Sequence, residues 1–507
     1  MFETLLAVLP IIILLVCLLG LKMTAMKSGA WAFCTALMVF FFYYKPGVLG
    51  MSISMAKGFG LALFVILIIW GAMFLYNMVK EVGALEVINR NIKLIIQDKF
   101  IQFILLSWIF SAFLQGIAGF GVPVIVVTPL LIGIGFDPVA SVAAVLVGHS
   151  WAISFGSMGS SIYAINMVTE TGISEIVIFM AIFGVIAMFC TGLSVCYIYG
   201  GLKTLVKGLP YIAVLTICMG AVLYLLAKLE MLSVIGLLTG LTGLITCSIL
   251  YKIKSRKNNS NKIPLYKDKI NLLEALLPYL LIVVLSLAFY VIDPSLSFGF
   301  DFNGYVTELG HKVVAENDYV SFNLLKFPFS IIMLSSFICM TVYRRKKIFD
   351  RKSAGKIIKA TINKCIPTTI TIVFLLNMAV IMMDSGMIEQ IAHSLVGLAG
   401  DVYPLVAPFI GLLGAFVTGS NTNSNIIFGN LQEIAAMTIG ISTALICGVQ
   451  SIGASVGGGI GPTTVSLGAT AAHIQGEEGK IYKKTLGPII ITTFVLGIAC
   501  FLIVNFY

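Results

Sequence analysis

The chain has 507 residues, of which 59% are hydrophobic and only 11% are charged. Soluble globular proteins carry about a quarter charged residues, so this composition excludes an ordinary soluble domain and indicates a polytopic membrane protein. The net charge of +10 does not indicate a nucleic-acid partner. The basic residues concentrate in short segments between apolar runs, where they set orientation in the membrane.

Apolar runs of about 17 or more residues, long enough to cross the hydrocarbon core, recur along the whole chain. The first, Leu5–Leu21, follows Glu3 and lacks a basic leader, so we expect a retained span and not a signal peptide. Together with two interrupted regions, the runs predict an all-α polytopic protein with about 12–14 membrane segments. Full spans are predicted at 5–21, 29–44, 59–78, 176–199, 209–227, 231–251, 275–292, 326–343, 366–383 and 487–505.

Charge also predicts the orientation of the chain. The segments 252–269 and 344–364 are strongly basic, with one acidic residue each, and both are predicted to be cytoplasmic. The acidic connection 293–325 is then extracellular, and the N-terminus lies outside. Segment 81–97 places its apolar residues on one helical face, which predicts an amphipathic helix lying along the membrane surface.

Two apolar regions, 101–165 (repeat 1) and 403–470 (repeat 2), share one layout. Each has an apolar run, a polar or glycine-rich tip, a second apolar run and a helix interrupted by Gly and Ser. The tips are Gln115–Pro123 and Gly419–Asn425. Paired interruptions in two halves indicate a secondary transporter whose binding site lies between inverted repeats. For the run Gly457–Gly461, glycines that only permit close helix packing are the alternative.

The second tip, Gly419–Asn425, places seven small or amide residues between apolar runs. Hydrocarbon cannot satisfy their polar groups, so the tip must be buried in protein or line a cavity. No Lys or Arg lies between residues 101 and 202 or between 365 and 479. A bound anion must then be held by helix N-termini, amides and hydroxyls, which favours a monovalent anion. The same oxygens could hold Na⁺, which leaves the coupling ion open. The predicted substrate-binding residues are Gln115, Gly116, Gly119, Ser150, Ser154, Gly419, Ser420, Asn421, Thr422, Asn423, Asn425 and Ser455.

Two titratable residues are candidates for carrying a coupled proton. His149 lies in the first interrupted helix, where it could titrate near neutrality or serve as a neutral structural histidine. Asp384 lies at a span end, where an interfacial helix-end acid is the alternative. Asp137 precedes Pro138 and is predicted to cap a helix. The ten cysteines form no CxxC or Cys/His cluster, so no disulfide framework, metal site or cofactor is predicted.

Four strings in this sequence resemble the L-lactate permease family, which includes glycolate permeases: Leu114–Pro123, Phe136–Ala140, Gly148–Gly159 and Gly414–Gly429. The resemblance spans essentially the whole chain. It implies uptake of lactate, and often glycolate, across the bacterial inner membrane, generally by proton symport. The family is grouped with an ion-transporter superfamily whose dicarboxylate members hold carboxylate and Na⁺ on Ser-Asn-Thr tips of re-entrant hairpins. Ser420-Asn421-Thr422 is similar to such a tip.

The first tip departs from that pattern, because it reads Gly-Ile-Ala-Gly-Phe-Gly where the dicarboxylate carriers have a second Ser-Asn-Thr. This departure argues against a two-carboxylate, multi-Na⁺ mechanism and fits a smaller monoanion. The superfamily further implies an elevator motion with interfacial arm helices, of which 81–97 would be one, and by analogy a possible homodimer. The predicted divisions are 1–100 (scaffold spans and arm), 101–165 (repeat 1), 176–343 (scaffold, with a cytoplasmic loop 252–271 and an extracellular loop 293–325), 344–400 (second arm and linking spans), 403–470 (repeat 2) and 487–507 (C-terminal span).

The sequence therefore predicts a plasma-membrane proton symporter for L-lactate and other 2-hydroxy monocarboxylates such as glycolate. The Asn421–Asn425 tip and the Ser150–Ser157 break are predicted to bind the carboxylate and the hydroxyl. The alternative in the same class is a Na⁺-coupled carrier of dicarboxylates or another small organic anion. An ion channel is disfavoured because pore-lining titratable rings are absent. An enzyme is not predicted, because no HExxH, GxSxG or P-loop motif occurs.

Overall fold

The fold was obtained as a computed structural model, which describes residues 2–21, 23–84, 86–88, 98–117, 119, 121–255, 270–292 and 296–506. The chain is predominantly helical, as predicted. The helices are α1 (Phe2–Leu15), α2 (Ala25–Val39), α3 (Gly47–Glu81), α4 (Lys99–Ile104), α5 (Ser111–Ile117), α6 (Val122–Ile134), α7 (Pro138–Ser150), α8 (Ser160–Asn166), α9 (Ile173–Lys228), α10 (Ile235–Ser255), α11 (Leu272–Ile292), α12 (Pro328–Arg345), α13 (Arg351–Asp384), α14 (Met387–Ala399), α15 (Tyr403–Thr418), α16 (Asn421–Ile439), α17 (Thr443–Gly458), α18 (Pro462–Ala471) and α19 (Glu478–Phe506). Three π-helical segments (Val16–Gly20, Phe40–Tyr44 and Leu105–Phe110) extend α1, α2 and α4, and short 3₁₀ turns lie at Ser157–Gly159 and Gly400–Val402.

Within the described residues, nine helical stretches are long and apolar enough to cross a membrane, and four shorter apolar helices accompany them. The prediction of a polytopic helical fold is confirmed. The two spans predicted at 176–199 and 209–227 form the single element α9, which breaks at Gly200 and Gly201. Most of the predicted arm helix at 81–97 and most of the basic loop 252–269 lie outside the described residues.

Helices α3 and α13 pack side by side in opposite directions. Trp70 Nε1 donates to Thr369 Oγ1 at 2.9 Å, and further along the pair Asn77 Nδ2 donates to Thr361 Oγ1 at 3.0 Å. The backbones come close at Gly58, where a Cβ atom would lie 2.8 Å from the Asn377 Cα. Small residues at such contacts allow tight helix packing inside a membrane. Helices α2 and α12 pack against α3 or α13, and we call α2, α3, α12 and α13 the scaffold.

The two repeats pack against each other and against α9 and α19. The contacts between the repeats follow a reciprocal pattern. The second hairpin helix of repeat 2 (α16) packs on α8 of repeat 1, and the second hairpin helix of repeat 1 (α6) packs on α18 of repeat 2. This exchange places equivalent elements of the two repeats around a common centre. The predicted divisions at 1–100, 101–165, 176–343, 344–400, 403–470 and 487–507 all stay predictions.

Four short strands were not anticipated by the sequence analysis, which treated 293–325 as an acidic loop. They are β1 (Ser297–Phe302), β2 (Tyr305–Val306), β3 (Lys312–Val313) and β4 (Glu316–Asn323). β1 pairs with β4 and β2 pairs with β3, both antiparallel. The alternation of Phe298, Phe300 and Phe302 carried the period-two signal of a strand. Phe322 of β4 is buried and its ring lies 5.3 Å from that of Phe64, so the strands are docked on α3.

Candidate substrate-binding site

Each repeat begins with two helices joined by a tight turn. In repeat 1 the first helix ends at Ile117 and α6 begins at Val122. In repeat 2 α15 ends at Thr418, α16 begins at Asn421, and the turn contains Gly419 at φ +68°. A left-handed conformation costs glycine little, because it has no Cβ atom to collide with the backbone. The predicted hairpin tips are therefore real turns, and the amides of the second tip form the first turn of α16.

Each repeat ends with a broken helix. In repeat 1, residues 151–159 separate α7 from α8, and Ser157 and Met158 adopt left-handed conformations at φ +48° and +55°. Non-glycine residues in such conformations cost on the order of 1–3 kcal/mol each, and they cluster at ligand-binding sites. In repeat 2, residues 459–461 separate α17 from α18, which starts at Pro462. Both interruptions predicted from Gly and Ser patterns are thus present as helix breaks.

Four helices begin around one cavity of about 590 Å³. They are α6, α8, α16 and α18, the second segments of the two hairpins and of the two broken helices. A helix N-terminus carries roughly half a positive charge and directs free N–H groups outward, so four of them create a site suited to an anion. The residues that bring these N-termini to the cavity are Gly121, Ser160, Ser161, Asn421, Thr422, Asn423, Thr463 and Thr464.

The cavity wall is neutral except for one histidine. Among its lining residues in the described part of the chain there is no Lys, Arg, Asp or Glu. His149 is the ionisable residue on this wall, and its Nδ1 lies 2.5 Å from the Val145 carbonyl oxygen. Because a carbonyl oxygen accepts, Nδ1 carries the proton and Nε2 is the nitrogen that can gain or lose one. The wall can therefore offer dipoles, hydroxyls and one exchangeable proton to a ligand.

Asn421 links the second tip to the break of repeat 1. Its Nδ2 donates to Ser154 Oγ at 2.7 Å, and Ser154 Oγ in turn donates to the Ser451 carbonyl oxygen at 2.7 Å. Ser455 Oγ accepts from the Ser154 backbone N–H at 2.9 Å and donates to the Ser150 carbonyl oxygen at 2.6 Å. These bonds join the two broken helices behind the cavity wall. They leave the Asn421 Oδ1 buried and without a hydrogen-bond partner in the described part of the chain.

Asn425 makes the second cross-link between the repeats. Its Nδ2 donates to the Ser161 carbonyl oxygen at 3.0 Å and to Ser451 Oγ at 2.9 Å. Ser161 Oγ and Thr422 Oγ1 lie 2.9 Å apart and form a further bond between α8 and α16. The Asn425 Oδ1 is also buried and unpartnered among the described residues. The second tip therefore directs its amide donors into repeat 1 and leaves two amide oxygens unsatisfied.

The first tip is held mainly through its backbone. The Gly119 N–H donates to Ser157 Oγ at 2.8 Å, which ties the turn of hairpin 1 to the break of the same repeat. A Cβ atom at Gly119 would lie 2.5 Å from that hydroxyl oxygen and 3.0 Å from Gln115 Nε2. Glycine is required here because the turn, Gln115 and Ser157 are in direct contact.

The predicted substrate-binding residues fall into three groups. On the cavity wall lie Gln115, Gly119, Gly419, Ser420, Asn421, Thr422 and Asn423. Directly behind the wall, in the hydrogen-bond network that joins the repeats, lie Ser150, Ser154, Asn425 and Ser455. Gly116 packs instead against α10, where a Cβ atom would lie 2.5 Å from the Leu237 backbone nitrogen. Asp137 caps α7 by accepting from the Ala140 N–H at 2.8 Å, as predicted.

The two candidates for proton coupling are separated by the structure. His149 lies on the cavity wall, whereas Asp384 ends α13 and does not line the cavity. Asp384 Oδ2 accepts from Ser54 Oγ at 2.5 Å and from the Tyr305 hydroxyl at 3.3 Å, and Lys57 Nζ lies 3.6 Å from its Oδ1. Asp384 is thus part of a charged cluster on the scaffold.

Sequence reasoning did not name several cavity residues, among them Ser161, Thr418 and Leu467, and two further sets differ in the signal that the sequence offered. Thr463 and Thr464 follow the Gly-rich interruption of repeat 2, and their position just after Pro462 was a usable signal for hydroxyls at a helix start. The scaffold wall gave no such signal, because its residues belong to ordinary apolar helices. It consists of Thr24, Ala25, Met26, Ile69, Pro367, Thr368, Thr371 and Ile372.

Comparison with known proteins identifies relatives along nearly the whole chain. The L-lactate permease of Streptococcus iniae is 27% identical, with 87% of this chain and 92% of that protein covered. The L-lactate permease of Escherichia coli K12 is 25% identical over 98% of this chain and 95% of its own length. The glycolate permease GlcA of the same organism is 24% identical over 98% and 94%. Among solved structures, the YdaH transporter of Alcanivorax borkumensis shows 15% identity and a TM-score of 0.48, covering 89% of this chain and 87% of that one.

The match to a known family extends over nearly the whole chain and is not confined to the residues of the cavity. The L-lactate permease family profile matches residues 3–507. The relatives are named permeases, which are transporters and not enzymes. With its nine apolar helices of membrane-crossing length in the described residues, the protein is a multi-pass membrane protein, which in bacteria lies in the inner membrane. The chain belongs to the L-lactate permease family.

Proposed function

We propose that this protein is a secondary active transporter that imports L-lactate, and other 2-hydroxy monocarboxylates such as glycolate, by proton symport. The observation that carries the proposal is the neutral cavity at which α6, α8, α16 and α18 all begin. Dipoles and hydroxyls can hold one carboxylate there without a fixed cation. The relatives named L-lactate permease and glycolate permease supply the substrate class.

The absence of charged side chains among the described lining residues favours a monovalent anion. A second carboxylate would need its own counter-charge, because an unpaired charge in a low-dielectric site costs several kcal/mol. The first tip offers a backbone turn and the amide of Gln115, whereas the second tip offers the N-terminus of α16 and the side chains of Ser420 and Asn423. We assign the carboxylate to the second tip and the hydroxyl to Gln115 and Ser157. This assignment matches one charged and one neutral group of a 2-hydroxy acid.

We assign the coupled proton to His149. Its Nδ1 is engaged with the Val145 carbonyl oxygen, so Nε2 is left to exchange a proton on the cavity wall. A protonated imidazole beside a bound carboxylate makes the loaded site neutral, which lowers the cost of moving it through the membrane. Asp384 is a weaker candidate for this role, because it lies outside the cavity and is paired with Lys57.

The interface between the two repeats is polar, whereas the interface between the repeats and the scaffold is not, and this difference favours an elevator-type motion. Asn421, Asn425 and Ser455 bond the repeats to one another. Within the described residues, no side-chain hydrogen bond crosses from α3 or α13 to the repeats, and the contact includes the rings of Phe64 and Tyr163 at 5.7 Å. An interface without hydrogen bonds can slide without breaking polar contacts. We therefore propose that the repeats move as one body against the scaffold.

Counterflow of labelled L-lactate in proteoliposomes tests the proposed function. An imposed inside-alkaline pH gradient should accelerate uptake, and unlabelled glycolate should compete. Asn423→Ala should raise KM about 10- to 100-fold, because a hydrogen bond to a charged group contributes about 1.5–3 kcal/mol. Asn421→Ala should also raise KM, because it removes the bond to Ser154 that fixes the start of α16 against the break of repeat 1. Asn377→Ala is the matched control. It removes a buried amide that bonds within α13, to the Val373 carbonyl oxygen, and does not line the cavity.

Three results would contradict this proposal. Uptake driven by Na⁺ and indifferent to pH would exclude proton symport. Lactate affinity unchanged in both asparagine variants would exclude the assigned site. Competition by succinate equal to that by glycolate would indicate a dicarboxylate carrier, which the neutral wall disfavours.

A second candidate is coupling to Na⁺, and one observation favours it. Asn421 Oδ1 and Asn425 Oδ1 are both buried and lack hydrogen-bond partners in the described part of the chain. Unpaired buried acceptors are costly, and amide oxygens are ligands that Na⁺ accepts. Asn425→Ala separates the two proposals, since Asn425 does not line the cavity. Under Na⁺ coupling this variant loses the Na⁺ dependence of uptake, and under proton coupling no Na⁺ dependence exists to be lost.

A further inference from the structure

The scaffold buries a lysine that the proposed transport cycle does not use. Lys57 lies in α3 and is only 1% exposed, and it is the one buried cation among the described lysines and arginines. A buried lysine needs an anionic partner, because an unpaired ammonium in a low-dielectric environment costs several kcal/mol. Lys57 is therefore always paired with some carboxylate.

In this conformation Lys57 has two carboxylate partners that differ in exposure, and its Nζ also lies over the Tyr319 ring, 5.0 Å from the centroid. Its Nζ lies 2.7 Å from Glu316 Oε1 and 3.6 Å from Asp384 Oδ1. The Asp384 side chain is only 11% exposed and is also held by Ser54 and Tyr305. The Glu316 side chain is 34% exposed and belongs to β4, at the edge of the stranded segment. The closer partner is thus the one that water and dissolved anions can reach.

The cluster lies on the same helix pair as the cavity, at a different depth. Lys57 and Ile69 are separated by about 18 Å along α3, at about 1.5 Å per residue. Asp384 and Ile372 are separated by about the same distance along α13. Ile69 and Ile372 line the cavity, whereas Lys57 and Asp384 do not.

An aromatic cluster lies between these two depths. The Phe64 ring is 4.8 Å from Phe327, 5.3 Å from Phe322 and 5.7 Å from Tyr163 of repeat 1. Phe64 stands between Lys57 and Ile69 in α3, so these rings lie at a depth between the charged cluster and the cavity. A solute that arrives from the strand-bearing face meets the level of Lys57 before it meets the cavity.

We propose that Lys57 is an encounter site for the carboxylate of the transported monocarboxylate, and that Glu316 occupies it in this conformation as a tethered competitor. The inference rests on the proposed function, since it takes the substrate to be a small monocarboxylate. Exchange of the Glu316 carboxylate for the substrate carboxylate keeps Lys57 paired and conserves the charge of the cluster. Asp384 stays in place, because Ser54 and Tyr305 hold it independently of Lys57.

A tethered competitor has a defined kinetic effect. A group held by a short segment competes at an effective concentration in the millimolar range, so its removal strengthens the binding of the free ligand. Glu316→Gln should therefore lower KM for L-lactate severalfold at the strand-bearing face. KM at the opposite face should not change, because the cavity is untouched. If the ion pair between Lys57 and Glu316 had only a structural role, its loss would not change KM at one face of the membrane alone.

The experiment compares right-side-out and inside-out membrane vesicles with labelled L-lactate. Lys57→Met should raise KM at the strand-bearing face, and Glu316→Gln decides the matter should Lys57→Met fail to accumulate. The matched control is Glu308→Gln, which breaks the ion pair between Lys45 and Glu308 (3.1 Å) on the same stranded segment. The side chains of that pair are 57% and 67% exposed, so its loss should leave both KM values unchanged.

Two outcomes would overturn the inference. One is a KM in Glu316→Gln that is unchanged at both faces or altered equally at both. The other is full recovery of wild-type KM by the charge reversal Lys57→Glu with Glu316→Lys, which would show that only the pairing matters. Failure of the proposed function itself looks different, because the wild-type protein would then show no lactate counterflow from either face.

Discussion

The two repeats share one framework and differ in the chemistry that they bring to the cavity. Each contributes a hairpin and a broken helix, and in each the second segments begin at the cavity. Repeat 2 supplies side-chain amides, which reach into repeat 1 from Asn421 and Asn425. Repeat 1 supplies a glycine turn, hydroxyls and the imidazole of His149. Under the proposed function, this difference places anion binding on repeat 2 and proton binding on repeat 1, although the two repeats share one framework.

The largest effect is expected at the titratable position. The penultimate residue of α7 is His149, whereas that of α17 is Gly457, so only repeat 1 has an imidazole at this place. His149→Gln removes the exchangeable proton. We expect accumulation driven by a pH gradient to be lost completely, while counterflow at equal pH continues. The exposed His393, changed to Gln, is the control and should behave as wild type. Undiminished pH-driven accumulation in His149→Gln would show that His149 does not carry the coupled proton.

Alanine substitutions at the tip glycines test whether transport is more sensitive to changes in the second tip than in the first. Gly419 and Gly121 both have positive φ, where an alanine costs about 1 kcal/mol or more. At Gly419 the new Cβ would lie 2.2 Å from Thr463 Oγ1 on the cavity wall, whereas at Gly121 it would meet the end of the flexible Leu467 side chain. We expect Gly419→Ala to reduce lactate uptake at least about 10-fold and Gly121→Ala only severalfold. Equal losses in the two variants would show that the tips are functionally equivalent.

Local sequence patterns predicted the parts of the site that depend on local backbone chemistry. Gly, Pro and Asn indicated both tips and both breaks, because such residues at membrane depth are tolerated only where the chain turns or lines a cavity. Gly419 and Asn421 lie in the predicted tip, where the structure shows a left-handed turn and a helix start. Their functional roles stay predictions.

The rest of the site depends on packing between distant segments. Ile69 and Thr368 line the cavity because α3 and α13 pack antiparallel. In the sequence alone, nothing distinguishes either residue from one that faces lipid or packs in the core. The pairing of Lys57 with Glu316 depends on the strands that dock on α3. Single-sequence patterns carry no record of such long-range pairs.

Gln115 tests whether the first tip contacts substrate at all. Its amide lies on the cavity wall, and the site has no second asparagine tip to replace it. A neutral hydrogen bond contributes about 0.5–1.5 kcal/mol, less than a bond to a carboxylate. We therefore expect Gln115→Ala to raise KM for L-lactate only severalfold, compared with the larger effect at Asn423. A competition series should show that this variant discriminates less well between lactate and propionate, which lacks the hydroxyl.

The smallest effect on transport is expected where repeat 2 is bonded, away from the cavity, to the segment that connects α8 to α9. Glu433 of α16 is 1% exposed and accepts from the Glu170 N–H at 3.0 Å, the Thr171 N–H at 2.7 Å and the Thr171 hydroxyl at 2.5 Å. Glu433→Gln removes the charge that strengthens these bonds and turns one acceptor into a donor. We expect a lower melting temperature in detergent and an unchanged KM.

Thr171→Val is the matched control, since it removes only the hydroxyl and should lower the melting temperature less. A raised KM in Glu433→Gln would mean that the geometry of the cavity depends on this distant contact of α16 as well. An unchanged KM would confine substrate recognition to the tips and breaks, and it would leave Glu433 as a residue that stabilises the packing of α16 on the segment between α8 and α9.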